Sequence, residues 1–341
     1  MLGNIYPFNP TDFWLMQGLT FVDLFCGGGF GARGAVRAGG TPLLGVDAWP
    51  LAAKTYKSNF PNARVLSNRI EELDPYTLSN LYRPKVLLTS PECTAHSIAR
   101  GAKPGSEKSR KTATSIIPWI DAMMPRWVIV ENVNRMKSWS KHDSFLASLR
   151  NLGYTVNELF LNAAEFGTPQ SRKRMFLICD KQGSIITKDD LLKNHKKSNK
   201  DANSIIDWDG YHETTPLRRK GRAKATLARA DRAIAELGEN RPFIIVYYGS
   251  DYAGGWQRLD APLRTVTTLD RFALVTWKKR QPYMRMLQPH ELLKAMGAGS
   301  KHSLPFGNRR EKIKLCGNGV CSPVVEVIFR TIRDITNLRA T

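Results

Sequence analysis

The sequence predicts a doubly wound, Rossmann-like α/β domain with a second, smaller region attached. Three observations lead there. Near the start of the chain, between Leu19 and Ala38, a strand runs into a glycine-rich turn and then a helix. Two later apolar runs, Val86–Leu88 and Trp127–Val130, stop just before residues able to do chemistry, Cys93 and Glu131. Strands buried on both faces read as continuous apolar runs, and an open parallel sheet presents its reactive groups at their carboxyl ends. From about residue 181 the chain turns polar and basic, which marks a second unit.

Bulk properties narrow the field. A chain of 341 residues is long for one core, and a hydrophobic content of 42% is that of a folded protein. No apolar run reaches the ~18 residues of a membrane span, and no basic start precedes an apolar core as in a secretory leader. The expectation is a cytoplasmic protein with no membrane partner. Cys26, Cys93, Cys179, Cys316 and Cys321 lack paired spacing, so neither a disulfide framework nor a zinc pattern is expected, and no metal is assigned. Lys and Arg number 51 against 30 Asp and Glu, for a net charge of +21. An excess of that size points to a polyanion, nucleic acid first.

Each element follows from local pattern. The first strand is Leu19–Phe25, the turn Cys26–Gly31 and the helix Ala32–Ala38. Glycines between strand and helix let backbone amides approach a ligand closely, although such a run alone is no more than a tight turn. The second strand, Leu43–Val46, ends at Asp47, 24 residues after Asp23. An acid there can take the ribose hydroxyls of a nucleoside cofactor. The glycine spacing departs from the dinucleotide fingerprint, and Asp23 precedes the glycines. With no pyrophosphate to cradle, S-adenosylmethionine fits better than NAD. A helix over 51–59 and strands at Ala63–Leu66 and Val86–Leu88 lead to Cys93. The polar, basic, glycine-hinged stretch 97–114 reads as a lid over a phosphate backbone. A helix at Ile116–Met124 precedes the strand Trp127–Val130, with Glu131-Asn132-Val133 at its end. Helix 143–151 and strand 155–161 precede Gln170, Arg172 and Arg174, which lead into a strand at Met175–Cys179. Alternate strand residues share a face, so Arg172 and Arg174 point the same way, toward an anionic or carbonyl-rich ligand.

The region 181–241 is the weakest for structure and the strongest for phosphate contact: Arg218, Arg219, Lys220, Arg222, Lys224, Arg229 and Arg232 face the single acid Asp231. Short strands are expected at Phe243–Tyr248 and Leu263–Thr267, a helix at Met286–Met296, a turn at Gly317–Val320 and a closing helix at Pro323–Arg333.

Taken in order, these stretches resemble the cytosine-C5 DNA methyltransferases over about residues 20–180 and 285–333. The matching residues are Asp23–Gly29, Asp47 with Tyr56 and Asn59-Phe60, Cys93 with Ser97, Glu131–Val133, Gln170/Arg172/Arg174, and Gly317/Asn318/Val320 followed by Pro323. The resemblance implies an S-adenosylmethionine-dependent methyltransferase domain at 1–180, completed by 318–341, with a target-recognition region and small domain at 181–317, irregular over 181–284. It implies that Cys93 adds to C6 of a flipped-out cytosine, that Glu131 binds the base at N3 and N4, that Arg174 binds O2, and that Arg172 supports the site. Phe25, Gly27, Gly29, Asp47 and Asn318, with Asp23 in the same turn, would hold S-adenosylmethionine. Duplex DNA is the implied partner, for a monomer in the bacterial (or viral-host) cytoplasm, with a cognate restriction endonuclease. Two departures stand out. Glu92 and Thr94 flank the cysteine where the family has proline and glutamine, and Ser67-Asn68-Arg69-Ile70 lacks the acid expected for the adenine. A carboxylate beside a thiol raises its pKa. The rival readings are a tRNA cytosine-C5 methyltransferase of the same fold and a catalytically silent DNA-binding module.

Overall fold

The computed structural model describes residues 18–91, 114–195, 200–249 and 254–338. Strands β1 (Thr20–Leu24), β2 (Thr41–Val46), β3 (Arg64–Leu66), β4 (Val86–Thr89), β5 (Trp127–Val133), β6 (Thr155–Asn162) and β7 (Lys173–Asp180) form a seven-stranded sheet in the order β3-β2-β1-β4-β5-β7-β6. The strands from β1 to β5 are parallel, and β7 runs antiparallel to both β5 and β6. Alternate residues feed two cores. Phe21, Val86, Leu88, Trp127 and Ile129 join one, and Val22, Leu87, Val128 and Val130 join the other. Helices α1 (Phe30–Arg37) and α2 (Pro50–Asn59) cover the first face. Next in the chain, α3 (Pro75–Leu81) precedes α4 (Ile117–Met123) and α5 (His142–Asn151), and the last two supply the second face with Trp119, Ile120, Phe145 and Leu149.

The rest of the chain is more regular than its composition suggested. After the short α6 (Lys188–Lys193), residues 181–284 are not irregular. Strands β8 (Thr215–Pro216), β9 (Phe243–Val246), β10 (Trp256–Gln257), β11 (Phe272–Lys278) and β12 (Gln281–Met286) pair antiparallel as β10-β9-β11-β12-β8. Helix α7 (Lys224–Leu237) packs on one face through Ala230 and Ala233. On the other face Ile244, Val246, Phe272 and Leu274 join the first core of the large sheet, so the two sheets share one apolar interior. Leu263–Thr267 is not a strand; among the described residues its ladder contact is a bridge from Leu263 to Gln170. Helices α8 (Pro289–Ala295), α9 (Arg309–Asn318) and α10 (Ser322–Leu338) close the chain. Gly317 and Asn318 are thus the last turn of α9, not a free turn. Helix α10 lies against α1 at Gly34, where a Cβ would come 2.1 Å from Ser322 O. The most apolar 18-residue window within Arg309–Leu338 is 67% buried in the fold, as in the core helix of a folded domain.

Candidate active site

In this strand order the topology reverses at β1, which lies between β2 and β4. That is where an open α/β sheet leaves a crevice at its carboxyl edge. The turn after β1 and the segment after β4 both open there. The turn has a fixed shape because Phe25, Gly27 and Gly29 all take positive φ, of 57°, 53° and 85°. At Gly29 a Cβ would press to 2.5 Å from the Phe60 ring, so this turn packs only as glycine. At Gly27 a Cβ would meet nothing within 4 Å, so the backbone there fronts open space. That space is a cleft lined by residues including Asp23, Phe25, Gly27, Phe30, Ser90 and Asn318.

Two acids brace this cleft. Asp47 accepts from Gly27 N at 2.8 Å through one oxygen and from Trp49 N at 2.8 Å through the other. Asp47 thus fixes the shape of the turn at the mouth of the cleft. Asp23 is buried, and burial raises its pKa well above the usual carboxylate range; Asp47 raises it further, while Tyr56 opposes. Asp23 thus belongs to the wall behind the turn. His302 backs the same turn with its ring centroid 4.8 Å from that of Phe30. Burial pushes its pKa down to about 3, so it serves as a neutral aromatic. The sequence carried no signal for that role.

The strand end leading to the cysteine is tied on both sides. Ser90 Oγ donates to Phe25 O at 3.2 Å, and Asn132 Nδ2 donates to Pro91 O at 3.3 Å. Asn132 therefore links β5 to the end of β4, a positioning part that a residue 41 positions away in sequence does not reveal. Cys93, Glu92, Thr94 and Ser97, with the 97–114 stretch up to residue 113, lie outside the described residues.

Glu131 lies inside β5, not beyond it, because β7 extends the ladder alongside and pairs Glu131 with Phe176. Arg174, two residues before Phe176, is its diagonal neighbour on that face. Arg174 Nε stands 3.2 Å from Glu131 Oε1. The approach is one of charge without hydrogen-bond alignment, and the buried Oε1 has no hydrogen-bond partner among the described residues. Burial raises the pKa of Glu131, against the opposing pull of Arg174 and then Arg172. The result is a buried carboxyl that holds a proton more tightly than usual.

The first arginine of the motif behaves differently. Arg172 donates to Val266 O and to Gly317 O, both at 2.8 Å. Gln170 donates to Ala295 O at 3.0 Å and accepts from Val266 N at 2.9 Å. One motif therefore divides its labour: Arg174 meets Glu131, while Gln170 and Arg172 lace the large sheet to the 263–267 segment and to α8 and α9. Asn318, at the end of α9, is brought to the cleft by that lacing.

Residues 19–334 match the family model of C-5 cytosine-specific DNA methylases. The chain belongs to this family. It is a cytosine-C5 methyltransferase, a transferase enzyme. Among curated relatives, the Type II methyltransferase M.HgiDI of Herpetosiphon aurantiacus is 28% identical over 256 residues, covering 72% of this chain and 79% of that protein. M1.HphI of Haemophilus parahaemolyticus is 32% identical over 50% of this chain and 48% of that protein. The human tRNA (cytosine(38)-C(5))-methyltransferase is 27% identical over 175 residues, 49% of this chain and 44% of that one. The chain thus spans about half the length of several relatives and more of the first. In fold, the Dnmt2 methyltransferase of S. pombe superposes with a TM-score of 0.67 at 16% identity, covering 95% of this chain and 100% of that chain. A putative DNA modification methyltransferase from an E. coli prophage gives 0.66 at 16% identity, covering 94% and 100%.

Proposed function

We propose that this methyltransferase acts on C5 of a cytosine flipped out of duplex DNA, by way of a covalent bond between Cys93 and C6. The observation that carries the reading is Glu131: a buried carboxyl whose pKa burial raises, flanked by Arg174, with an oxygen that has no hydrogen-bond partner among the described residues, at the edge of the sheet from which the Cys93 segment departs. Cytosine C5 is too weak a nucleophile to take a methyl group unaided. When bound, S-adenosylmethionine supplies a methyl group on a sulfonium. The cleft fits it: Gly27 fronts open space, Asp47 fixes the turn at its mouth, and Phe25 and Asn318 line the walls.

The chain's own residues do the rest. Cys93 Sγ bonds to C6, and the displaced π pair makes C5 nucleophilic. Glu131 donates its proton at N3 as charge moves onto the ring, and accepts from the N4 amino group. Arg174 donates to O2. Once C5 carries the methyl group, a base removes the C5 proton, the C6–Sγ bond breaks, the thiolate leaves and Glu131 regains its proton. A stacked base cannot be reached, so the nucleotide must leave the duplex at a cost of roughly a few kcal/mol, offset by phosphate and pocket contacts.

We read residues 1–180 with 318–341 as the catalytic domain, and 181–317 as the target-recognition and small domain. DNA is favoured over tRNA because the match to M.HgiDI runs over 256 residues and that to the tRNA enzyme over 175. The Type II names of its relatives support a restriction-modification setting with a cognate endonuclease; action as a monomer belongs to the same reading. The test is transfer of labelled methyl to unmethylated duplex DNA, with Cys93→Ala alongside and tRNA as second acceptor. Cys93-dependent label in 5-methylcytosine of DNA is the expected result. Label in tRNA alone moves the substrate to RNA. Tight DNA binding without label in either makes the chain a silent module.

A further inference from the structure

Away from the reaction site, the described residues hold one convergence of metal-ligating side chains: Asp207, His212 and His290 place their ligand atoms within 4.8 Å of one another. We propose that these three residues form a site for a divalent transition metal of the zinc class, which clamps the segment entering the five-stranded sheet to the start of α8.

Both imidazole Nε2 atoms stand 3.0 Å from the same oxygen, Asp207 Oδ2. The two rings lie stacked, with centroids 5.6 Å apart. Ligand atoms around a tetrahedral zinc, with bonds of ~2.0–2.1 Å, are about 3.3 Å from one another. Small side-chain shifts therefore turn the present cluster into a coordination face. Two imidazoles and one carboxylate suit zinc and its late first-row neighbours, whereas calcium and magnesium require oxygen ligands. Entry of the cation needs each ring in its Nδ1–H tautomer and no net loss of protons from neutral rings. The fourth position opens to water, because His290 is half-exposed.

Three features hold these ligands in place without a metal. Arg285 and Glu291 form a buried pair with both contacts at 2.7 Å. Glu291 Oε1 accepts Asp207 N at 2.9 Å, and an Arg285 nitrogen reaches Asp207 O at 3.4 Å. That pair grips the backbone of one ligand while Glu291 adjoins another, His290. Finally, the loop closes on Gly210, where a Cβ would lie 2.3 Å from Asp207 Oδ2 and 2.7 Å from His212 Nε2. Outer-shell braces of this kind set ligand orientation.

The test uses the full chain without a histidine tag, stripped with chelator and titrated with Co²⁺, then with competing Zn²⁺. One Co²⁺ per chain is expected, with visible d–d bands, no thiolate charge-transfer band, displacement by Zn²⁺ and a raised melting temperature. His290→Ala and His212→Ala should each weaken Co²⁺ binding at least about tenfold, and His195→Asn should leave it unchanged. Should His212→Ala fail to fold, the surface variant His290→Ala decides alone. No saturable uptake, a thiolate charge-transfer band, or unchanged affinity in His290→Ala overturns the site.

Discussion

In the seven-stranded sheet the described charged side chains of the cleft are individually tied, two of them buried and Asp47 half-buried: Asp23 beside Tyr56, Asp47 under Gly27 and Trp49, Glu131 against Arg174. Around the five-stranded sheet they are many and open to solvent, as with Arg219, Lys220 and Lys224 at and before the start of α7. The contrast is physical. A buried charge is costly and must be paired, so its position is defined and it can act on one atom of a substrate. An exposed charge is screened and weak alone, so a phosphate backbone is gripped by number. Substitutions in the first region should act nearly all-or-none and those in the second by degrees.

The largest effect expected is at Glu131. Glu131→Gln keeps the shape but removes the carboxyl proposed as proton donor, and single-turnover methyl transfer should fall by roughly 10²–10⁴. DNA affinity by filter binding should stay within about twofold, because Glu131 is buried away from any phosphate. A variant with near-normal turnover would deny the buried carboxyl its special status. Next comes packing. Gly34→Ala drives a methyl group into Ser322 O and Glu326 N where α1 crosses α10. A loss of about 1–3 kcal/mol is expected in urea unfolding. An unchanged midpoint would mean that the helices can part, and that the large half is less rigid than its contacts indicate.

The same contrast governs what could be read from sequence. The turn after β1 and Asp47 after β2 were legible because strand, glycine and acid are neighbours in the chain. Helix α7 was written there too: Thr226, Ala230 and Ala233 fall on one face, and Gly238 ends it at φ 85°. Its basic charge drew the reading toward loop. The β11–β12 hairpin was hidden for another reason. Its turn residues, Lys279 and Arg280, take φ of 48° and 63° without the glycine or asparagine that normally announces such a turn. Pro282 inside β12 argued against a strand as well. The role of Arg172 was out of reach, since its acceptors lie 94 and 145 residues away and no local pattern encodes them. The Arg174–Glu131 contact needed the antiparallel register of β7, which spacing does not give.

Graded behaviour in the second region has its own test. Arg219→Gln and Lys220→Gln should each lower the slope of log affinity against log salt by about 0.9 if that side chain meets a phosphate, with turnover at saturating DNA unchanged. A drop in turnover instead would join the basic region to the chemistry and dissolve the distinction between the two sheets.

The smallest effect is a silence. Burial raises the pKa of Cys26, Cys179, Cys316 and Cys321, with Cys316 at about 12 and Cys321 at about 11. Raising a thiol pKa shrinks the thiolate fraction at fixed pH. Near pH ~8 only about one Cys321 in a thousand would be ionised, and reactivity should climb about tenfold per pH unit up to that pKa. Native enzyme treated with iodoacetamide should therefore lose one thiol quickly, Cys93, and the other four only on unfolding. S-adenosylmethionine and DNA together should protect that one. A second fast thiol would show that the fold breathes open at a cysteine it now buries, and the sharp line between tied and open chemistry would move to the element that holds it.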